Sequence, residues 1–181
     1  RAKVFLLEEL RIASNQTFLS PEIINIEDFV QHISGIRSID TIELLFIFYK
    51  VYCDTQDNET KDTFEVFANW AKTLLQDFNE IDRYLIEAKQ LFGNLQNIKE
   101  LESWSLNSEE ELTDFQKQYL NFWKLIGNYY TDFSKRLLAK NQAYQGMAYR
   151  IVAAKTEQCV AKHSWKKIIF AGFNALNKAE V

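Results

Sequence analysis

The sequence predicts a mainly α protein of about seven helices and two short strands. Apolar residues recur at every third or fourth position over most of the chain, which is typical of amphipathic helices. Only 5 Gly and 1 Pro occur in 181 residues, too few for the many turns of an all-β sandwich. At 47% hydrophobic and 14% aromatic residues, the chain can bury a sizeable core.

The first 36 residues are predicted to form a helix, a strand and a second helix. The first helix covers about residues 1–13. A short β-branched run after a Pro predicts a strand over 20–26. Asn25 is expected to cap the next helix, Asp28 to favour its dipole, and Gly35 to end it.

The central part of the chain is predicted to be almost wholly helical. Helical spacing of apolar residues covers 38–52, 64–78 and 81–92, with a polar loop at 54–62 and an irregular stretch at 94–108. The longest helix follows, because its apolar positions step by three and four: Leu112, Phe115, Tyr119, Phe122, Trp123, Ile126, Tyr130, Phe133 and Leu137.

A further helix at about 143–158 and a closing strand at 168–171 complete the predicted elements. The two strands are far apart in sequence, and a sheet of only two short strands cannot satisfy its own edges. We therefore expect them to be neighbours in a parallel sheet whose other strands lie outside this chain, which would then be a piece of a longer protein.

Charge is distributed unevenly along the chain. Residues 1–112 carry 10 basic and 21 acidic side chains, a net charge of −11, whereas residues 113–181 carry 11 basic and 4 acidic ones, a net charge of +7. A basic half of this kind predicts either a surface that meets nucleic acid or a solvated helix face without a partner.

Cysteine usage and hydropathy favour a cytoplasmic protein that does not contact a membrane. Cys53 and Cys159 lack CxxC spacing, so neither a disulfide framework nor a zinc site is indicated. The longest apolar runs, such as 44–48, are far too short to span a bilayer.

Sequence patterns for phosphate binding and for catalysis are absent or weak, and we predict no catalytic residue and no metal ligand set. Neither GxxxxGK[ST] nor GxGxxG occurs. Asp82 followed by Glu87 and Lys89 resembles a nuclease metal motif, but their helical spacing favours a solvated helix face. Cys159 and His163 would form one edge of a metal site that has no second edge.

Several stretches together resemble the AddB/RecB-like helicase-nucleases, proteins of the PD-(D/E)XK nuclease superfamily, chiefly of the bacteroidete variety. Arg1-Ala2 resembles the tail of a "PNRRA" segment. The other matching stretches follow in the same order as in that family: "SPEIINIEDFV", "LLQDFNEIDRYL", "AYQGMAYR" and "IIFAGFNALNKAE". "NEIDRYL" and "GFNALNKAE" are the most specific of them.

The resemblance implies an internal part of a superfamily-one helicase-like domain. Residues 1–36 and 159–181 would belong to its P-loop-type parallel α/β core, and 37–158 would form an inserted helical subdomain. The closing strand lacks the acidic pair of active helicases, and the family's nuclease motif lies far downstream. No cofactor is therefore expected here, because ATP and Mg²⁺ would serve only the full complex.

The function that we predict is DNA binding within a helicase-nuclease subunit that processes double-strand breaks for recombinational repair. The predicted partners are DNA, as a single strand or a duplex end, and a second helicase-nuclease subunit. Tyr129, off the apolar stripe, is the best exposed stacking candidate. Candidate phosphate contacts are chosen by charge: Lys135, Arg136, Lys140, Arg150, Lys155, Lys162, Lys166 and Lys167. The alternative is a helical module that docks a partner subunit.

Overall fold

The computed structural model describes residues 2–14, 16–17, 19–56, 61–106, 114–173 and 175–181. Within these ranges the chain is mainly helical. Eight helices and two short strands occur in the order α1 Ala2–Ser14, α2 Ile26–Ser34, β1 Arg37–Ser38, α3 Thr41–Thr55, α4 Phe64–Arg83, α5 Ala88–Leu106, α6 Asp114–Ala139, β2 Gln142–Ala143, α7 Gln145–Ala154 and α8 Thr156–Val160.

The predicted caps of α2 are confirmed. The Asn25 side-chain oxygen accepts a hydrogen bond from the Asp28 N–H at 2.7 Å, and Gly35 ends the helix with a left-handed φ of 65°. Asp40 caps α3 in the same manner and accepts from the N–H groups of Ile42 and Glu43. These short polar side chains replace the hydrogen bonds that a first helical turn lacks.

Both predicted strand positions are wrong. Residues 20–25 have no regular secondary structure, and Ile26 begins α2. Residues 168–171 likewise form no strand, and the side chain of Ile169 is 73% exposed rather than buried. A strand needs a hydrogen-bonded neighbour, and no described segment pairs with either stretch.

The two observed strands lie elsewhere and pair with each other in parallel. β1 and β2 align Arg37 with Gln142 and Ser38 with Ala143. The pairing is extended by a hydrogen bond from the Ile39 N–H to the carbonyl of Ala143. This short sheet joins the residues just before α3 to the residues just before α7.

Several helix boundaries differ from the prediction. α4 continues through Asn79 to Arg83, and α5 begins at Ala88 and runs to Leu106, so the stretch predicted to be irregular is helical as far as that residue. The helix predicted at 143–158 is interrupted at Lys155, which separates α7 from α8.

The core lies between α3, α4, α6 and α7, and aromatic rings fill its centre. The Phe48 ring contacts those of Phe67, Phe78 and Phe133 at centroid distances of 5.2, 5.8 and 5.3 Å. All four side chains are fully buried. α5 packs on α6 and α2 packs on α7, so these two helices flank this centre.

The predicted stripe of α6 is confirmed over its C-terminal half, where Ile126, Phe133 and Leu137 are buried. Leu112, which opens the predicted stripe, lies outside the described residues. None of the helices in the described ranges combines the length and the apolar character that a bilayer crossing requires.

Candidate nucleic-acid interface

The predicted cations near the end of α6 fall into two classes. Lys135 is exposed, and its Nζ lies 3.4 Å from Asp132 one turn earlier, while Arg136 forms an ion pair with Asp54 of α3. Lys140, just after the helix, is exposed and has no acidic partner among the residues that the structure describes. The first two cations are therefore partly neutralised, and the third is open to a ligand.

The guanidinium of Arg150, on α7, makes hydrogen bonds within the protein. Its Nε donates to the carboxylate of Asp82 at 2.6 Å, and its terminal nitrogen donates to the carbonyls of Ile81 and Ile86 at 2.9 and 2.7 Å. The guanidinium thereby satisfies carbonyls where α4 ends. Its charge balances Asp82 instead of being left for a phosphate.

Asp82 lies in the protein interior, and its predicted place on a solvated helix face is wrong. Its side chain is 1% exposed and also accepts hydrogen bonds from the Tyr130 and Tyr144 hydroxyls. Burial, reinforced by the negative charge of Asp82, raises the pKa of both tyrosines well above the usual value.

The nuclease-like pattern does not assemble into a metal site in the described part of the chain. Glu87 and Lys89 are exposed beyond the end of α4, whereas Asp82 is enclosed. No group of three or more His, Cys, Asp or Glu side chains among the described residues is placed to hold a metal ion. Cys159 and His163 are likewise not part of any such group among the described residues.

The predicted exposure of Tyr129 is wrong, because its side chain is fully buried. Tyr129 stands three residues after Ile126 and four before Phe133, so it falls on the same buried face of α6. Gln56 donates a hydrogen bond to its hydroxyl at 2.5 Å. Burial raises the pKa of Tyr129 to about 12, although this hydrogen bond acts in the opposite direction.

Five of the predicted cations, all of them lysines from residue 140 onward, form a set that we call the open lysines. Their side chains are exposed, and none has an acidic partner among the described residues. The set consists of Lys140, Lys155, Lys162, Lys166 and Lys167.

A cluster of rings that was not predicted from the sequence includes residues of the segment that carries the last three open lysines. We call it the ring cluster, and it comprises Phe29 and His32 of α2 with His163, Trp165 and Phe170. His163 stacks on Trp165 at 4.2 Å with an interplanar angle of 6°. The sequence feature that could have indicated this cluster is a His and a Trp two residues apart in a Lys-rich segment.

The most specific segments of the resemblance meet in the structure. In "NEIDRYL", Asn79 accepts a hydrogen bond from the Gly146 N–H of "AYQGMAYR" at 2.7 Å, and Asp82 contacts Tyr144 and Arg150 of the same stretch. Residues 175–181 return to the end of α4, where the Ala179 N–H donates to the carbonyl of Arg83.

Comparison with known proteins identified no matching family model, no matching curated protein and no matching solved structure.

Proposed function

We propose that this chain is a DNA-binding part of a helicase-nuclease subunit that acts in double-strand break processing and recombinational repair. The observation that carries DNA binding is the set of five open lysines in the basic C-terminal third. The place in a helicase-nuclease rests on the resemblance of the sequence segments. The chain itself would supply neither ATPase nor nuclease activity.

Binding through such lysines is electrostatic and depends little on base sequence. Each Lys that meets a phosphate releases condensed counterions, so the affinity falls as salt rises. If all five open lysines make such contacts, the slope of log K against log salt should be about −3.5 for a single strand, at about 0.7 for each contact.

The test is a fluorescence-anisotropy titration of a labelled single strand at several salt concentrations. Lys162→Glu/Lys166→Glu/Lys167→Glu should weaken binding and reduce the slope by about 2, because three phosphate contacts are lost. A matched control is Lys50→Glu/Lys72→Glu/Lys89→Glu, which changes net charge equally at exposed positions on α3, α4 and α5.

The control should bind nearly as the parent does, apart from the general effect of its added negative charge. Equal weakening by both triple variants would show that net charge, not the C-terminal surface, governs binding. A slope near zero, or no binding at low salt by a folded sample, would overturn the proposal.

A second candidate is a protein-interaction module, favoured by the exposed apolar surface of α1. Val4 and Phe5 are 70% and 72% exposed, and Ile12 is 55% exposed. α1 makes no extensive contact with the other described helices. Such a surface fits a partner subunit, and this function would be independent of DNA and of the open lysines.

A further inference from the structure

The ring cluster joins two parts of the chain that are far apart in sequence. The Phe29 ring lies 5.8 Å from Trp165 and 5.4 Å from Phe170, which it meets edge to face. His32 lies 4.9 Å from His163. α2 therefore fixes the orientation of rings that belong to the otherwise irregular segment after α8.

One end of the ring cluster is open. Phe170 is 59% exposed, and Phe173, whose ring lies 6.3 Å away, is 42% exposed. His32 is exposed as well. Apolar ring surface that is exposed to water is unfavourable, so a ligand that covers these rings gains free energy.

Positive charge lies next to this open end along the chain. Lys166 and Lys167 follow Trp165 directly and precede Phe170 by four and three residues, respectively, and Lys162 precedes His163. None of these lysines forms an ion pair with a described residue. Asp28, one turn before His32, lines a cleft together with His32 and Arg37, so a carboxylate and a guanidinium both lie at this cleft.

We infer that this surface binds unpaired bases, with Phe170 as the stacking ring and Lys166 and Lys167 as phosphate contacts. The inference rests on the proposed DNA binding and narrows its substrate to single strands. Aromatic side chains that alternate with cations are how proteins hold single strands without reading their sequence. A duplex cannot use the rings because its bases are already paired and stacked.

Three labelled ligands of equal length separate stacking from electrostatics: a single strand, a duplex of the same sequence, and an abasic single strand that keeps the phosphates. Phe170→Leu keeps an apolar side chain but removes the ring. It should weaken binding of the single strand by about fivefold or more. Binding of the duplex and of the abasic strand should change less than about twofold.

Phe46→Leu is the matched control, because Phe46 is 52% exposed, stacks on Phe64 at 4.9 Å and is not part of the ring cluster. It should leave all three affinities unchanged. Thermal unfolding of both variants verifies that they are folded, as expected for side chains that are more than half exposed.

The inference is overturned if the abasic strand binds as tightly as the base-bearing strand, or if Phe170→Leu binds the single strand as the parent does. In either case salt-dependent binding would still support the proposed function. Absence of salt-dependent binding to all three ligands would instead overturn the proposed function itself.

Discussion

Asp82 shows how a single side chain joins three parts of the fold. Its carboxylate, on α4, is almost inaccessible and accepts hydrogen bonds from Tyr130 of α6, from Tyr144 before α7 and from Arg150 of α7. A buried carboxylate is tolerated only when a countercharge and donors replace water. Arg150 supplies the countercharge, and the two hydroxyls supply further donors.

Removing this carboxylate should strongly destabilise the protein. We expect Asp82→Ala to lower the free energy of unfolding by about 3–5 kcal/mol, because Arg150 and the two tyrosine hydroxyls lose their shared acceptor. Asp82→Asn keeps an acceptor oxygen and should cost less. Equilibrium unfolding in urea, followed by circular dichroism, measures both changes.

Asp132→Asn is the control for this experiment, since Asp132 is half exposed and pairs with Lys135 on the same helix at 3.4 Å. Its effect should stay within about 0.5 kcal/mol. If Asp82→Ala costs no more than Asp132→Asn, the buried pair does not contribute the stability assigned to it here.

At the scale of elements, α4 and α7 form the most extensive helix contact in the described part of the chain. Gly146 permits their close approach. A Cβ atom on Gly146 would lie 2.2 Å from the backbone oxygen of Asn79 and 2.9 Å from its side-chain oxygen. Backbone atoms cannot move aside cheaply, so only Gly fits at this point.

We therefore expect Gly146→Ala to lower the free energy of unfolding by about 2–3 kcal/mol, because the two helices must separate to admit one methyl group. Gly93→Ala is the matched control on α5, where a Cβ meets nothing within 4 Å. It should stabilise the protein by about 0.5–1 kcal/mol through helix propensity.

Thermal and urea unfolding of the two Ala variants should therefore shift in opposite directions. A neutral Gly146→Ala variant would contradict the close approach of α4 and α7.

Local patterns predict some elements well and others poorly. The caps of α2 were predictable because Asn25 and Gly35 act on their own neighbours. The stretch at 94–106 was not, since Gly93, Asn94 and Asn97 weaken the helix signal, whereas packing of α5 on α6 stabilises the helix.

For the whole molecule, buried tyrosines couple stability to alkaline pH. Burial raises the pKa of Tyr129 to about 12, and burial next to Asp82 raises the pKa of Tyr130 and Tyr144 above the usual value near 10. All three hydroxyls remain neutral in the folded state at a pH where they ionise in the unfolded state. Their stabilisation is therefore complete below pH 10 and is lost as pH rises further.

The free energy of unfolding should fall above pH 10 by about 1.4 kcal/mol per pH unit for each such tyrosine. Urea unfolding at pH 9, 10 and 11 measures the slope, and tyrosinate absorbance follows ionisation. Tyr129→Phe should reduce the slope by the contribution of one tyrosine. Stability that stays constant from pH 10 to 11 would contradict the buried state of these hydroxyls.

The candidate site was predictable only in part. Charge alone predicted that the C-terminal lysines contact phosphates. The open lysines are exposed, as such contacts require. Charge could not show that Arg150 pairs with Asp82, nor that His32 and His163 meet across 131 positions of sequence. Such pairs depend on which helices pack together.

The sequence by itself determined the mainly helical class, the ends of α2, the C-terminal half of the apolar stripe of α6 and the division into an acidic and a basic part. Each of these follows from neighbours along the chain or from composition. Only the tertiary structure decided the burial of Asp82 and Tyr129, the parallel pairing of β1 with β2, and the ring cluster. These features require residues distant in sequence to meet, and their contact energies outweigh local preference.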